Sequence, residues 1–203
     1  MTLTRRAFAA LGLALAIPIA AIAHPHHGKA AEPLPDVFLG DENAPVTVIE
    51  YASMTCPHCA TFHLGAFKQL KEEYIDTGKV KFVFREFPFD PLAAAVSMLA
   101  RCSGDRYFDV LDLFFETLDQ WAVQEGALQQ IRGLAMQAGF TGAEFEACLT
   151  DQELLDGINA VRQHGYEEYG VTATPTLIID GEKLEGSRSI SALREAIDPK
   201  LGD

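Results

Sequence analysis

Cys56 and Cys59, separated only by Pro57 and His58, put two thiols three residues apart. Three chemistries suit that spacing: half of a metal site, an inert bridge, or a disulfide that opens and closes. Tetrahedral zinc takes four ligands; His58 and His63 lie close by, but no second cysteine pair does. A helix that begins at Pro57 places Cys56 against free backbone N–H groups and the positive end of the helix dipole. Proline suits that first helical position because its missing N–H costs no helical bond. The surroundings favour a thiolate, so Cys56 is expected to have a lowered pKa. His58 adds a donor and, when protonated, a positive charge beside the sulfur. Stabilising the reduced, ionised form makes the corresponding disulfide a stronger oxidant and the thiol a better leaving group. The metal clip and the inert bridge remain the alternatives.

The elements around the pair must hold it at a strand-to-helix junction. Residues 46–51, VTVIEY, are β-branched and apolar, which predicts a buried strand with Glu50 as its odd member. From Pro57 to about Asp76 the spacing of Phe62, Phe67, Leu70 and Tyr74 predicts one helix, ended by Gly78. Residues 80–87, VKFVFREF, predict a second strand. From about Leu92 to Tyr169 every segment carries helical spacing, with starts at Thr141 or Gly142 and at Thr150 or Asp151, and breaks at Gly126 and Gly139. Strand character returns at 174–180, Gly181 turns the chain, and a short strand is expected around Lys183–Glu185. A helix from about Ser189 to Ile197 closes the chain. The order is strand-helix-strand, an all-helical insertion, then strand-strand-helix: an α/β domain at 46–91 and 170–203, split around an insertion at 92–169.

Residues 1–23 read as an export signal: Arg5 and Arg6, an apolar stretch, then Ala21-Ile22-Ala23 as a cleavage site. Thr4-Arg5-Arg6-Ala7-Phe8 also resembles a twin-arginine signal. Pro18 and the short apolar run count against a membrane anchor. Loss of this segment removes two cations and no acid, so a net charge of −13 becomes −15. So acidic a chain repels phosphate backbones, which argues against nucleic acid as a partner. Residues 24–45, rich in proline and polar groups, read as a lead-in. A copper site on His24, His26 and His27 would need the amide of Pro25, which has no N–H, so no metal is expected.

Cys56-Pro57-His58-Cys59 at that junction, the helical insertion, and Thr174-Pro175 before a late strand together resemble the DsbA family of thioredoxin-fold disulfide oxidoreductases, from about Val46 to Ile197. The resemblance implies a thioredoxin-like fold with an inserted helical domain. It casts Cys56 as the exposed nucleophile and Cys59 as its buried partner. Pro175 corresponds to a cis-proline facing the pair, and Thr174 to the backbone that receives an extended substrate. Glu50 resembles the acid beneath the site that handles the proton of Cys59, with Lys81 as its suggested partner. It further implies a periplasmic protein acting on reduced, unfolded exported polypeptides and recharged by a quinone-linked membrane oxidase of DsbB type. No cofactor beyond the redox-active disulfide is implied, and a monomer is expected.

Cys102 and Cys148, 46 residues apart on apolar-patterned helices, are expected to form a second, structural disulfide; two separate buried thiols are the rival. Threonine before the cis-proline also resembles periplasmic disulfide isomerases. Those dimerise through an added N-terminal domain, which residues 24–45 are too few to build. A reductase, or a polypeptide-holding chaperone without redox turnover, completes the alternatives.

Overall fold

In the computed structural model, residues 31–202 are described. The expected leader, with Arg5, Arg6 and Ala23, lies outside them, as do His24, His26 and His27. A five-stranded mixed sheet forms the frame: β1 (Val37–Leu39), β2 (Val46–Ala52), β3 (Val80–Glu86), β4 (Thr176–Ile179) and β5 (Glu182–Lys183). Their spatial order is β1-β3-β2-β4-β5. Only β2 and β3 run parallel; β1 is antiparallel to β3, β4 to β2, and β5 to β4. Because β2 is central and covered on both faces, its residues are apolar almost without alternation, as buried strands require.

The two faces of the sheet have separate contents. Val46, Val48, Ala52, Phe82 and Phe84 enter the larger core, whereas Ile49, Tyr51, Val83 and Ile178 enter a smaller one. Glu50 stands opposite Phe84 in the β2–β3 register and shares the larger face. Lys81 stands opposite Thr47, and its ammonium lies 4.3 Å from the centre of the Phe38 ring. Strand alternation therefore puts Lys81 and Glu50 on opposite faces, and the suggested pairing of the two is corrected.

The first helical stretch is three pieces. α1 (Pro57–Leu64) ends at Gly65, whose φ of −121° and ψ of −94° leave the helical region. α2 (Ala66–Leu70) follows and passes into one wide π turn over Lys71–Ile75. Between β3 and β4 stand α3 (Pro91–Cys102), α4 (Tyr107–Glu116), α5 (Leu118–Trp121), α6 (Ala127–Gln137), α7 (Gly142–Leu149) and α8 (Gln152–Tyr169). α9 (Ile190–Ile197) closes the chain, capped by Ser189. Local chemistry explains the starts. Asp90 accepts from Ala93 N–H ahead of Pro91, Thr141 and Glu144 form a reciprocal capping box, and Asp151 accepts from Leu154 N–H.

The helices of the insertion share the larger core with the sheet: Leu99, Leu111, Phe114 and Phe115 pack in one cluster with Phe82 and Phe84. A buried polar clamp adds to it. Glu86, fully buried at the end of β3, takes both prongs of the Arg101 guanidinium from α3 and the Tyr107 hydroxyl of α4 at 2.7 Å. On the other face, α8 approaches so closely that a Cβ on Gly165 would sit 2.5 Å from the Tyr51 ring. Cys102 and Cys148 are joined by a disulfide, tying the end of α3 to α7.

The lead-in is not a free tail over its described part. Val37–Leu39 adds a strand to β3, Asp36 pairs with Arg85, and the Pro35 carbonyl accepts from Arg101 at 2.7 Å. Three residues between Asp36 and Gly40 carry too little alternation to be read as a strand beforehand. Among the described residues no helix is long and apolar enough to cross a membrane.

Candidate active site

The chain leaves β2 at Ala52 and reaches α1 through Ser53, Met54 and Thr55. That loop is anchored at the start of α3. Thr55 donates to Asp90 Oδ2 at 2.5 Å while Oδ1 of the same carboxylate caps α3. Cys56 is then the N-cap residue of α1, with extended φ and ψ, and Pro57 takes the first helical position. Cys56 is half-buried, whereas Cys59, one turn on, is wholly buried. Only the first sulfur is available to a large client.

The two thiols differ sharply in acidity. Cys56 is lowered from the ordinary thiol value to about 5. The largest cause is donation from the Cys59 thiol, which outweighs the opposing effect of burial; the Thr174 hydroxyl and the backbone N–H groups of Cys59 and His58 add to it. Cys59 is pushed far up, first by burial, then by its bond to Cys56 and by the charge of Glu50. The ring of His58 is exposed, and its contribution to Cys56 comes through its backbone N–H. The first turn of α1, above all the Cys59 thiol and then the backbone N–H groups, holds the thiolate more than an imidazolium does.

Across from α1 the Thr174–Pro175 peptide bond is cis. The Cys56 thiol donates to the Thr174 carbonyl oxygen at 3.4 Å. Thr176 bonds back to the Ala173 carbonyl at 2.7 Å, and Arg188 donates Nε to the Pro175 carbonyl at 3.2 Å, so the turn is braced on both sides. Beside it runs an open groove of about 650 Å³ whose lining includes His58, Thr61, Phe62, Thr174, Pro175 and Arg188. Cys56, Pro57, His58, Thr174 and Pro175 thus meet at one place. Cys102 and Cys148 belong to the helical insertion, at the end of α3 and in α7.

Glu50 lies beneath the site, wholly buried, and its partner is His63, whose Nε2 is 2.8 Å from Oε2. The sequence alone offers His63 only as a possible zinc ligand. The signal was its spacing: four residues after Cys59 and seven after Cys56, hence on the same helical face. Among the described residues no three His, Cys, Asp or Glu side chains are grouped so as to hold a metal ion.

A family model described as Thioredoxin matches residues 33–199. A Rickettsia bellii chain named as a protein-disulfide oxidoreductase is 33% identical over 168 residues, which cover 82% of this chain and 64% of that one. Disulfide bond formation protein D of Bacillus subtilis is 26% identical over 172 residues, covering 80% of this chain and 76% of its own length. The crystal structure of alpha-DsbA1 from Wolbachia pipientis matches with a TM-score of 0.78 at 33% identity, over 84% of this chain and 94% of that one. The chain spans 60–64% of the length of the rickettsial relatives it matches.

Proposed function

The chain belongs to the thioredoxin family, among its DsbA-type members, and on that premise we propose that it is a protein-disulfide oxidase which donates its Cys56–Cys59 disulfide to reduced, unfolded exported polypeptides. The observation that carries the reading is the half-buried Cys56 thiol, lowered to about 5 and set beside an open groove at a cis-proline. A sulfur so content as a thiolate gives up its disulfide readily.

A client thiolate attacks Cys56 Sγ of the disulfide, forming a client–Cys56 mixed disulfide and releasing Cys59 as a thiolate that takes up one proton. A second client thiolate attacks the client sulfur, closes the client disulfide and expels Cys56 as a stable thiolate. The client loses two electrons and the pair gains them. The groove receives the client as an extended segment against the backbone at Thr174. The cycle closes when a quinone-linked membrane partner of DsbB type takes the two electrons back. The protein works as a monomer in the periplasm after removal of a leader near Ala23, and needs no cofactor beyond the disulfide.

The test is direct. The oxidised protein is mixed with a reduced, unfolded client whose native fold needs disulfides, and client thiols are counted over time. Stoichiometric loss of client thiols with Cys56 present, and none with Cys56→Ala, supports the oxidase. Rearrangement of scrambled disulfides in preference to their formation would indicate an isomerase. Protection of unfolded clients that survives Cys56→Ala would indicate a redox-inactive holder.

A further inference from the structure

One buried polar side chain has no part in the steps above. His63 is 1% exposed, yet it lies among aromatic rings: its ring is 4.5 Å from both Phe67 and Phe115, and 5.7 Å from Phe84. Burying an imidazole there costs free energy unless both ring nitrogens are used. Nε2 meets Glu50 Oε2 at 2.8 Å. Nδ1 faces Asp112 Oδ1 of α4 at 3.8 Å and has no nearer partner. Asp112 is 56% exposed, so this is where the buried chain of polar groups reaches water. A change of rotamer at Asp112 or one bridging water closes that gap. At the other end, Glu50 Oε1 is buried without a partner, and Glu50 is close enough to Cys59 to raise its pKa.

The titratable and charged groups around His63 are few. They are Cys59 on its own helix, Glu50 from β2 and Asp112 from α4. Tyr107, also on α4, is near enough to Glu50 to feel its charge, but its hydroxyl is committed to Glu86. α2 and β3 present Phe67 and Phe84.

We propose that His63 is a positioning residue that conducts the proton exchanged by Cys59, linking the sealed Glu50 carboxyl to solvent at Asp112. This rests on the redox reading of the site. When the client displaces Cys59, the thiolate forms where nothing from outside can reach it. The Glu50 carboxylate takes the Nε2 proton of the His63 imidazolium and hands it to Cys59; a half-turn of the ring then brings the vacated nitrogen to the Asp112 side, where water reprotonates it. One proton from solvent ends on Cys59, and Glu50 and His63 finish as they began. Reoxidation runs the same path outward. Burial opposes the imidazolium, but Glu50 and Asp112 together push His63 up to about 9, so at neutral pH it is already in the donor form.

The experiment follows reduction of the Cys56–Cys59 disulfide by a small dithiol, with each rate divided by the concentration of attacking thiolate, from about pH 6 to about pH 10. The wild-type rate is expected to be level and then to fall as pH passes about 9, where His63 loses its proton. His63→Gln should be slower by about a hundredfold, the lower end of what positioned acid–base assistance contributes, and should lack that limb. Asp112→Asn, on the surface and safe for folding, should move the limb to lower pH, because it removes a charge that raises His63. Variants that match the wild type in rate and profile overturn the proposal, as does a wild type with no limb near 9. If His63→Gln does not fold, an unmoved limb in Asp112→Asn overturns it alone. A wild-type disulfide that accepts no electrons at all removes the oxidase reading itself, and the relay with it.

Discussion

Cys56 Sγ lies 3.4 Å from the carbonyl oxygen of Thr174, a residue 118 positions away in the chain. That contact joins the helix start, which makes the thiolate, to the cis peptide, beside which a client strand would lie. The Thr174 hydroxyl is buried with no hydrogen-bond partner in place, and it is near enough to add to the lowering of Cys56. Thr174→Val keeps the shape and removes the donor. A hydrogen bond to a charged group contributes about 1.5–3 kcal/mol. The variant should raise the pKa of Cys56 by about one unit and make the pair about 30 mV less oxidising per unit. Equilibration with glutathione reads the change; a more oxidising variant would contradict it.

Cys59 is wholly buried while Cys56 is not, so the two thiols should fail differently. Cys59→Ala leaves the nucleophile without its resolving partner and should accumulate client-linked adducts, seen on non-reducing gels and dissolved by reductant. Cys56→Ala should give none. Equal adducts from both variants would reverse the assigned roles.

The clamp of Glu86, Arg101 and Tyr107 fastens the first two insertion helices to the sheet. Arg101→Met removes one partner and leaves a carboxylate in a fully buried place. Breaking a buried pair this way costs about 3–5 kcal/mol. Denaturant unfolding should show a midpoint lowered accordingly, and a loss below about 1 kcal/mol would mean the pair acts as a surface ion pair does.

Cys102–Cys148 closes a loop across a sequence separation of 46 residues. Replacing both cysteines by alanine should lower stability by roughly 4 kcal/mol in the chain-entropy account. The check is urea unfolding of both proteins with Cys56–Cys59 kept oxidised. No loss would show that the reduced denatured chain is already restrained by other contacts.

The lowered Cys56 pKa also sets how stability follows pH. A depressed thiol stabilises the reduced fold fully above the free-thiol value of 9.0, and that contribution is lost as pH falls through about 5. Stability of the reduced protein relative to the oxidised one should therefore climb from about pH 5 to about pH 9. Denaturant unfolding of both forms across that range measures it; a flat difference would mean that Cys56 is unperturbed.

Much of this was legible before the structure. Cys56-Pro57-His58-Cys59 follows a run of β-branched residues and opens a helix, and those local rules needed no tertiary contact to act. Thr141, Asp151 and Ser189 begin helices by side-chain chemistry within three residues. What was not legible depended on register and approach. Lys81 and Glu50 look like partners on neighbouring strands until the Thr47–Lys81 pairing puts them on opposite faces. The real partner, His63, lies on the helix above, and only the packing of α1 on β2 brings it to Glu50. The strand Val37–Leu39 is held by pairing with β3, and its own three residues announce nothing. Gly65 interrupts the first helix in a stretch whose apolar spacing runs on unbroken.

The central claim is that the N-terminal end of α1 holds the Cys56 sulfur as a thiolate. Titrating the reduced protein by thiolate absorbance tests it, with Cys56→Ala as the blank. One group should ionise near 5, with Cys59 silent until well into the alkaline range. A single transition near 9, the value of an unperturbed thiol, would contradict the account.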